Sequence, residues 1–325
     1  MTAASSMSMS PGGEGRCREP REATGASRVQ TVARVAVGVD GYPEGRDAAA
    51  LGAALARITG AELMLVAVYS TPLVPAPPGL DWKGLRSESQ RILRSTRDAV
   101  APGARTLIET DLSIARGLHR VVQRHHRDLL VVGSSRHGPE GRVWIGKRTR
   151  QLLCHFECAL AVAPRGLHAR RPVRIRRIGV GFDRSPESGA GLVLAGSIAA
   201  AASGVLRVCG VVDDRAGALA WNALGGILGV EWEDLIRDEL EQLRADALDA
   251  TRGIGAEVRI DVARGRPADA LLALSEDVDL LVIGSRRWGP TARLLLGSTG
   301  EAVLHDAGCA VVTVPRAPTD AGDRE

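Results

Sequence analysis

Aromatic residues are scarce in this chain: five Trp, two Tyr and two Phe amount to 3% of its 325 residues. Single-stranded nucleic acid is usually bound on aromatic platforms where bases stack, so this shortage argues against that partner. The core must come from Ala, Val, Leu and Ile, which a hydrophobic fraction of 45% supplies. Net charge is also small for the size, +4, and much of it sits in one stretch holding Arg165, Arg170, Arg171, Arg174, Arg176 and Arg177. Without base-reading spacing beside it, that stretch reads as a solvated linker. Cysteines number five, at 17, 154, 158, 209 and 309. Cys154 and Cys158 lack the second pair of ligands a zinc site needs. Cys158 and Cys309 each open an apolar stretch and read as small buried thiols. Reduced thiols fit the cytoplasm. No long hydrophobic run occurs either. Ser188 to Leu206 carries no charge, but its Ala, Gly and Ser are too weakly apolar for a membrane span, and it reads as a buried helix. Residues 1–31 hold Ser, Gly, Pro, Arg and Glu without an apolar stretch, which predicts a disordered tail rather than a targeting segment.

What the chain does contain is one pattern written twice. Leu129-Leu130-Val131-Val132-Gly133-Ser134 returns as Leu280-Leu281-Val282-Ile283-Gly284-Ser285, and a further glycine follows 13 positions later in each copy, at Gly146 and Gly297. Arg34-Val35-Ala36-Val37-Gly38-Val39-Asp40 is echoed by Arg177-Ile178-Gly179-Val180-Gly181-Phe182-Asp183. A duplication of this length sets the domain count. The expected organisation is a first domain over 32–164, a basic linker over 165–174, a second domain over 175–315 and a disordered tail over 316–325.

Strand and helix periodicities alternate in the same order in both halves. The first half predicts strands at Val35–Val39, Leu63–Tyr69, Thr106–Ser113, Leu129–Val132 and Ala159–Ala163, with helices near 44–59, 87–100, 115–126 and 147–155. The second predicts strands at Ile178–Phe182, Val205–Val212, Glu257–Ala263, Leu280–Ile283 and Ala310–Val314, and its longest loop at 213–230. The expected fold class is α/β: two tandem doubly wound, five-stranded parallel-sheet domains with right-handed crossovers. The fifth strands are apolar and would otherwise be open edges. Their mutual pairing predicts an internal pseudo-dimer, leaving the chain a monomer or building a homodimer.

Few residues offer chemistry. The glycine segment leaves a strand and enters a helix, where backbone N–H groups and the helix N-terminus attract phosphate. Gly297-Ser298-Thr299-Gly300 supplies hydroxyls there, and Arg286, Arg287 and Arg293 add positive charge. The same residues also suit a plain capped turn, with Ser298 or Thr299 as the cap. Gly141 to Arg148 matches the spacing of a Walker A loop, but Arg148 stands where Ser or Thr should hold magnesium, and the segment follows the fourth strand rather than the first. Asp40 and Asp183 end the first strand of each half, at the edge where doubly wound sheets bind ligands, or shape the turn there. His119, His125 and His126, beside Arg120, Arg124 and Arg127, read as a solvated basic face rather than a metal site. No nucleophile elbow, dinucleotide fingerprint or zinc-hydrolase signature is present.

These residues resemble the universal stress proteins in tandem form: a glycine segment after the fourth strand, an Asp ending the first strand and a fifth strand opening with Cys. The resemblance covers roughly 32–164 and 175–315. It implies binding of ATP or a related adenine nucleotide, with Mg²⁺ as a possible companion, and action through an unknown protein partner rather than catalysis. Carried over, the second half offers Asp183, Val211, Gly284, Arg287, Gly297, Ser298 and Thr299. The first half offers Asp40, Val68, Gly133, Gly146 and Lys147. Arg287 and Arg136 replace the middle glycine of the family segment, and Lys147 replaces its hydroxyl residue, so the main site is expected in the second half. The alternatives are a nucleotide-free interaction or scaffold module and a slow ATP hydrolase.

Overall fold

A computed structural model describes residues 31–70, 82–146, 149–150, 152, 158–170, 172–213, 232–285 and 297–315. In the first half the chain runs β1 (Arg34–Gly38), α1 (Pro43–Thr59), β2 (Glu62–Ser70), α2 (Trp82–Val100), β3 (Arg105–Asp111), α3 (Ile114–Arg124), β4 (Leu129–Gly133) and β5 (Ala159–Ala163). The second half repeats it as β6 (Arg177–Phe182), α4 (Pro186–Ala201), β7 (Val205–Val212), α5 (Trp232–Ala250), β8 (Glu257–Arg264), α6 (Pro267–Asp277), β9 (Leu280–Gly284), α7 (Ser298–Asp306) and β10 (Ala310–Val314). Local chemistry sets the helix ends. Pro43, Pro186 and Pro267 sit in the first turns of α1, α4 and α6, where the missing N–H costs nothing. Ser185 caps α4 by accepting from the N–H of Ser188 at 3.1 Å, and Gly60 closes α1 at φ 71°.

The strands among the described residues form one ten-stranded sheet in the order β3-β2-β1-β4-β5-β10-β9-β6-β7-β8. Each half is parallel, and the halves join through an antiparallel β5–β10 pair, Val162 opposite Val311, Ala161 opposite Val312 and Leu160 opposite Thr313. The expected pairing of the fifth strands is therefore realised, with the two sheets fused into one. β5 and β10 are buried along their whole length, which explains their continuous apolar sequence. The outer strands carry charge instead: β8 alternates exposed and half-buried residues and includes Glu257, Arg259 and Asp261. Such edges resist pairing with other chains. A core lies on each face of the sheet, and both cores run through both halves.

The predicted helix over 147–155 lies mostly outside the described residues, although Thr149, Arg150 and Leu152 are helical. Most of the long loop at 213–230 and both tails also lie outside them. Cys158 and Cys309 are buried as expected. Burial, together with Asp279 and Glu276, lifts the Cys309 thiol well above its ordinary value. Burial foremost, with Asp261, pushes Cys209 up to about 11 against Arg207, so neither thiol is an activated nucleophile. α4 is the mostly buried helix expected from its composition, though Val193 is exposed. No helix among the described residues is long and apolar enough to cross a membrane.

Two sequence-based expectations change. The basic stretch is not a free linker over its first half. Arg165 donates to the carbonyl of Gly138 at 2.6 Å, and a 3-10 turn at Leu167–Ala169 follows. Asp47 of α1, fully buried, accepts from the N–H of Gly166 at 2.9 Å and of His168 at 2.7 Å, and lies 2.5 Å from His168 Nδ1. The basic face of α3 is also less free than its composition suggests. Arg120 reaches Glu109 and Asp111, Arg124 reaches Glu109, and Arg127 is buried beside Glu62. Acidic residues supply the partners, two from the preceding strand β3 and one, Glu62, from β2, remote in sequence.

Asp128 and Asp279 tie strand starts together in the same way. Each takes two backbone N–H groups with one carboxylate oxygen: Ala33 and Arg34 for Asp128, Arg176 and Arg177 for Asp279. Burial alone would raise the Asp279 pKa, but the Arg177 guanidinium and the two N–H groups outweigh it and hold the carboxyl below its ordinary value. A depressed carboxylate adds stability that is complete above the unfolded pKa of about 3.9 and disappears as pH falls through the lower folded value. The wild type should thus lose more stability than Asp279→Asn on acidification below about pH 4, measured by urea unfolding across that range. Parallel acid profiles would show that the anion contributes nothing.

Candidate functional site

The strand order places a topological switch point between β1 and β4, and again between β6 and β9, because successive connections leave these strands in opposite directions. Asp40 follows β1 and Gly133 ends β4; Asp183 follows β6 and Gly284 ends β9. The fold therefore brings each Asp to the same crevice as the first glycine of its repeat. Val68 and Val211 lie at matching places near the ends of β2 and β7. Val68 turns toward α3, where Gly117 leaves it room.

Both acidic residues are exposed and both shape the turn into the next helix. Asp40 Oδ1 accepts from the N–H of Tyr42 at 3.2 Å. Asp183 Oδ1 accepts from the N–H of Ser185 at 3.1 Å and from its hydroxyl at 2.5 Å. The residue after each Asp is left-handed, Gly41 at φ 83° and Arg184 at φ 66°. Glycine adopts that shape freely, whereas Arg184 is held there with ion pairs to Glu239 and Asp246 of α5.

The first glycine of each segment has a packing role. A Cβ on Gly133 would lie 2.2 Å from the carbonyl oxygen of Glu44, and one on Gly284 would lie 2.8 Å from the carbonyl carbon of Glu187. These glycines let the first turn of α1 or α4 press against the end of the fourth strand. The next residue is tied to the fifth strand: Ser134 Oγ donates to Ala163 O at 2.7 Å, and Ser285 Oγ to Val314 O at 3.0 Å. Glu44 and Glu187, buried in the repeated Pro-Glu step, went unremarked in the sequence, where that repeated dipeptide was the available signal.

The second glycines start helices. Arg150 N–H donates to Gly146 O and Glu301 N–H to Gly297 O, both at 3.0 Å. Gly297 itself is the N-cap of α7, extended at φ −66° and ψ 167°. Ser298 and Thr299 are the first helical residues, so neither caps α7 as a simple capped turn would have it. Ser298 is exposed and Thr299 half-buried. Gly146 has no steric demand comparable to Gly133, since a Cβ there would meet Ser135 at 3.4 Å. Arg287 and Lys147 lie outside the described residues.

The first-half loop is committed to the protein's own contacts. The N–H groups of Ser135 and Gly138 donate within the loop, that of Gly141 donates to Arg165, and those of Val143 and Ile145 donate to Ala307 and Leu304 at the end of α7. The Walker-like segment is thus a C-terminal cap for a helix of the other half. Arg136 lies with its guanidinium 6.0 Å from the Tyr42 ring centroid, bridging the loop and the start of α1. Among the described residues no group of three or more His, Cys, Asp or Glu is placed to hold a metal ion.

Known proteins share this architecture and pattern. A universal stress protein of Mycobacterium tuberculosis is 26% identical over 341 aligned residues, covering 90% of this chain and 98% of its own length. A crystal structure of a universal stress protein from Archaeoglobus fulgidus superposes with a TM-score of 0.61 at 17% identity, covering 89% of this chain and 98% of that one. A shorter universal stress protein, solved in complex with cAMP, is 25% identical over 44% of this chain and 98% of its own, with a TM-score of 0.33. The family profile of the universal stress proteins matches twice, over 31–164 and 174–315. The chain belongs to the universal stress protein family and carries two copies of its domain.

Proposed function

We propose that this chain binds one adenine nucleotide, ATP or a relative, in its second half, and acts in the stress response through a protein partner rather than by turnover. The observation that carries this reading is the difference between the two helix starts. α7 opens on Gly297, Ser298 and Thr299, with a side-chain-free N-cap and two hydroxyls in its first turn. The equivalent first-half positions are Gly146, Lys147 and Arg148. A helix N-terminus with adjacent hydroxyls suits phosphate oxygens, whereas Ser135, Gly138, Gly141, Val143 and Ile145 of the first-half loop already donate to protein carbonyls. In this assignment Ser298, Thr299 and the α7 N-terminus take the phosphates. Asp183, with Val211 nearby, faces the sugar and base, and Gly284 keeps α4 close. Mg²⁺ would arrive with the phosphates and keep mostly water ligands, in line with the reluctance of that ion to dehydrate. The reduced, buried thiols fit a cytoplasmic setting. A nucleotide-free scaffold gains support from Asp183 and Gly284 already having structural roles.

Isothermal titration of the full chain with ATP tests this. Gly297→Val combined with Ser298→Ala should abolish binding, because the branched side chain displaces the phosphate. If Arg287 pairs with a phosphate, Arg287→Ala should weaken binding by about 1.5–3 kcal/mol; tighter binding in both Arg287→Ala and Arg287→Gly would mark it as a plug. Absence of heat with the wild type would favour the scaffold, and steady phosphate release would favour the slow hydrolase.

A further inference from the structure

The internal twofold relates Ala161 to Val312, since each is the third residue of its fifth strand, and these two residues face each other in the β5–β10 pair. In a true twofold dimer a residue on the axis meets its own copy. Here a small side chain meets a larger one, and both are fully buried. A second equivalent pair also meets across the axis. Arg150 and Glu301 each stand four residues after the second glycine of their repeat, and Arg150 Nη1 lies 2.6 Å from Glu301 Oε1. Arg150 Nη2 is also 3.0 Å from His305 Nε2. Burial and then the Arg150 charge, against Glu301, hold that imidazole below its ordinary pKa. The neighbouring Trp144 ring meets His305 edge-on at 4.8 Å.

We infer that the joining surfaces are heterotypic: the first-half surface, with Ala161 and Arg150, fits the second-half surface, with Val312 and Glu301, and its partner is the companion half of the same chain. A first-half surface against its own copy would set Arg150 on Arg150 and leave Ala161 facing Ala161. A second-half surface against its own copy would set Glu301 on Glu301 and crowd Val312 on Val312. Opposed like charges and mismatched volumes disfavour both alternatives. After duplication, the two copies no longer need to be self-complementary, and at these positions they are not. The inference stands independently of any nucleotide.

Two swap experiments on the full chain test it, with melting temperature as the readout. Ala161→Val and Val312→Ala should each lower the melting temperature by about 3–8 °C. The double variant, which exchanges the two side chains, should recover most of that loss. Arg150→Glu and Glu301→Arg should each lower it by about 1–3 °C, because the pair is half-exposed, with recovery in the charge-reversed double. A double variant as destabilised as the sum of its singles, in either pair, would overturn the inference.

Discussion

Gly133→Ala should be among the most damaging single substitutions in the chain. The added Cβ would stand 2.2 Å from the carbonyl oxygen of Glu44 and 2.6 Å from its carbonyl carbon. Those are backbone atoms of a helix turn with no rotamer to change. Relief requires α1 to lift from β4, along an interface where α1 buries Glu44, Ala48 and Leu51 and β4 buries Leu129 to Val132. The cost should exceed the ~1–3 kcal/mol of ordinary overpacking, and soluble, cooperatively unfolding protein should be largely lost. Gly284→Ala should be milder, because its nearest contact is 2.8 Å. Gly146→Ala should be close to neutral in stability, its nearest contact being Ser135 at 3.4 Å. Urea unfolding of the three variants checks that order; equal midpoints for Gly133→Ala and Gly146→Ala would refute the packing role.

The second large effect is expected at Asp47. Its buried carboxylate gathers two backbone N–H groups and the His168 ring from the segment joining the halves. The equivalent position in the second half is Ala190, which carries no carboxylate. Asp47→Ala leaves half-buried donors without their acceptor, at a cost of about 1–3 kcal/mol. It should also release the 3-10 turn, so trypsin should cut after Arg165 and Arg170 many times faster than in the wild type. Asp47→Asn, which keeps an acceptor oxygen, should lose less stability. Unchanged cleavage in Asp47→Ala would show that Arg165 and its carbonyl partner Gly138 hold the segment unaided.

Much of the fold was legible because its signals are local. The apolar runs Ala159–Ala163 and Ala310–Val314 were bounded to the residue, and their continuous burial potential foretold that they would pair. Val205–Val212 was bounded as closely, other strand ends moved by one or two residues, and α2 begins at Trp82, before the polar periodicity that marks it. What the sequence could not convey was contact across long separations. The glycine segment looks like one phosphate-binding unit, yet Gly133 answers to Glu44 and Ser134 to the end of β5. The arginines of 165–177 look like a solvated run because Asp47 and Glu44, which order Arg165 to His168, lie in α1. Arg127 looks like part of a basic face because only the folded chain brings Glu62 beside it. The candidate site was legible in its chemistry at Ser298 and Thr299 but not in the division of labour among its glycines.

In the proposed function the duplicated chain keeps one nucleotide site, at the start of α7, while Val143 and Ile145 of the matching first-half loop cap the end of that helix. Binding stoichiometry of the full chain with ATP tests it most directly. One ATP should bind per chain, retained in Gly146→Val and lost in Gly297→Val. Two equivalent sites per chain, loss of binding in Gly146→Val, or no ATP bound by the wild type would contradict it.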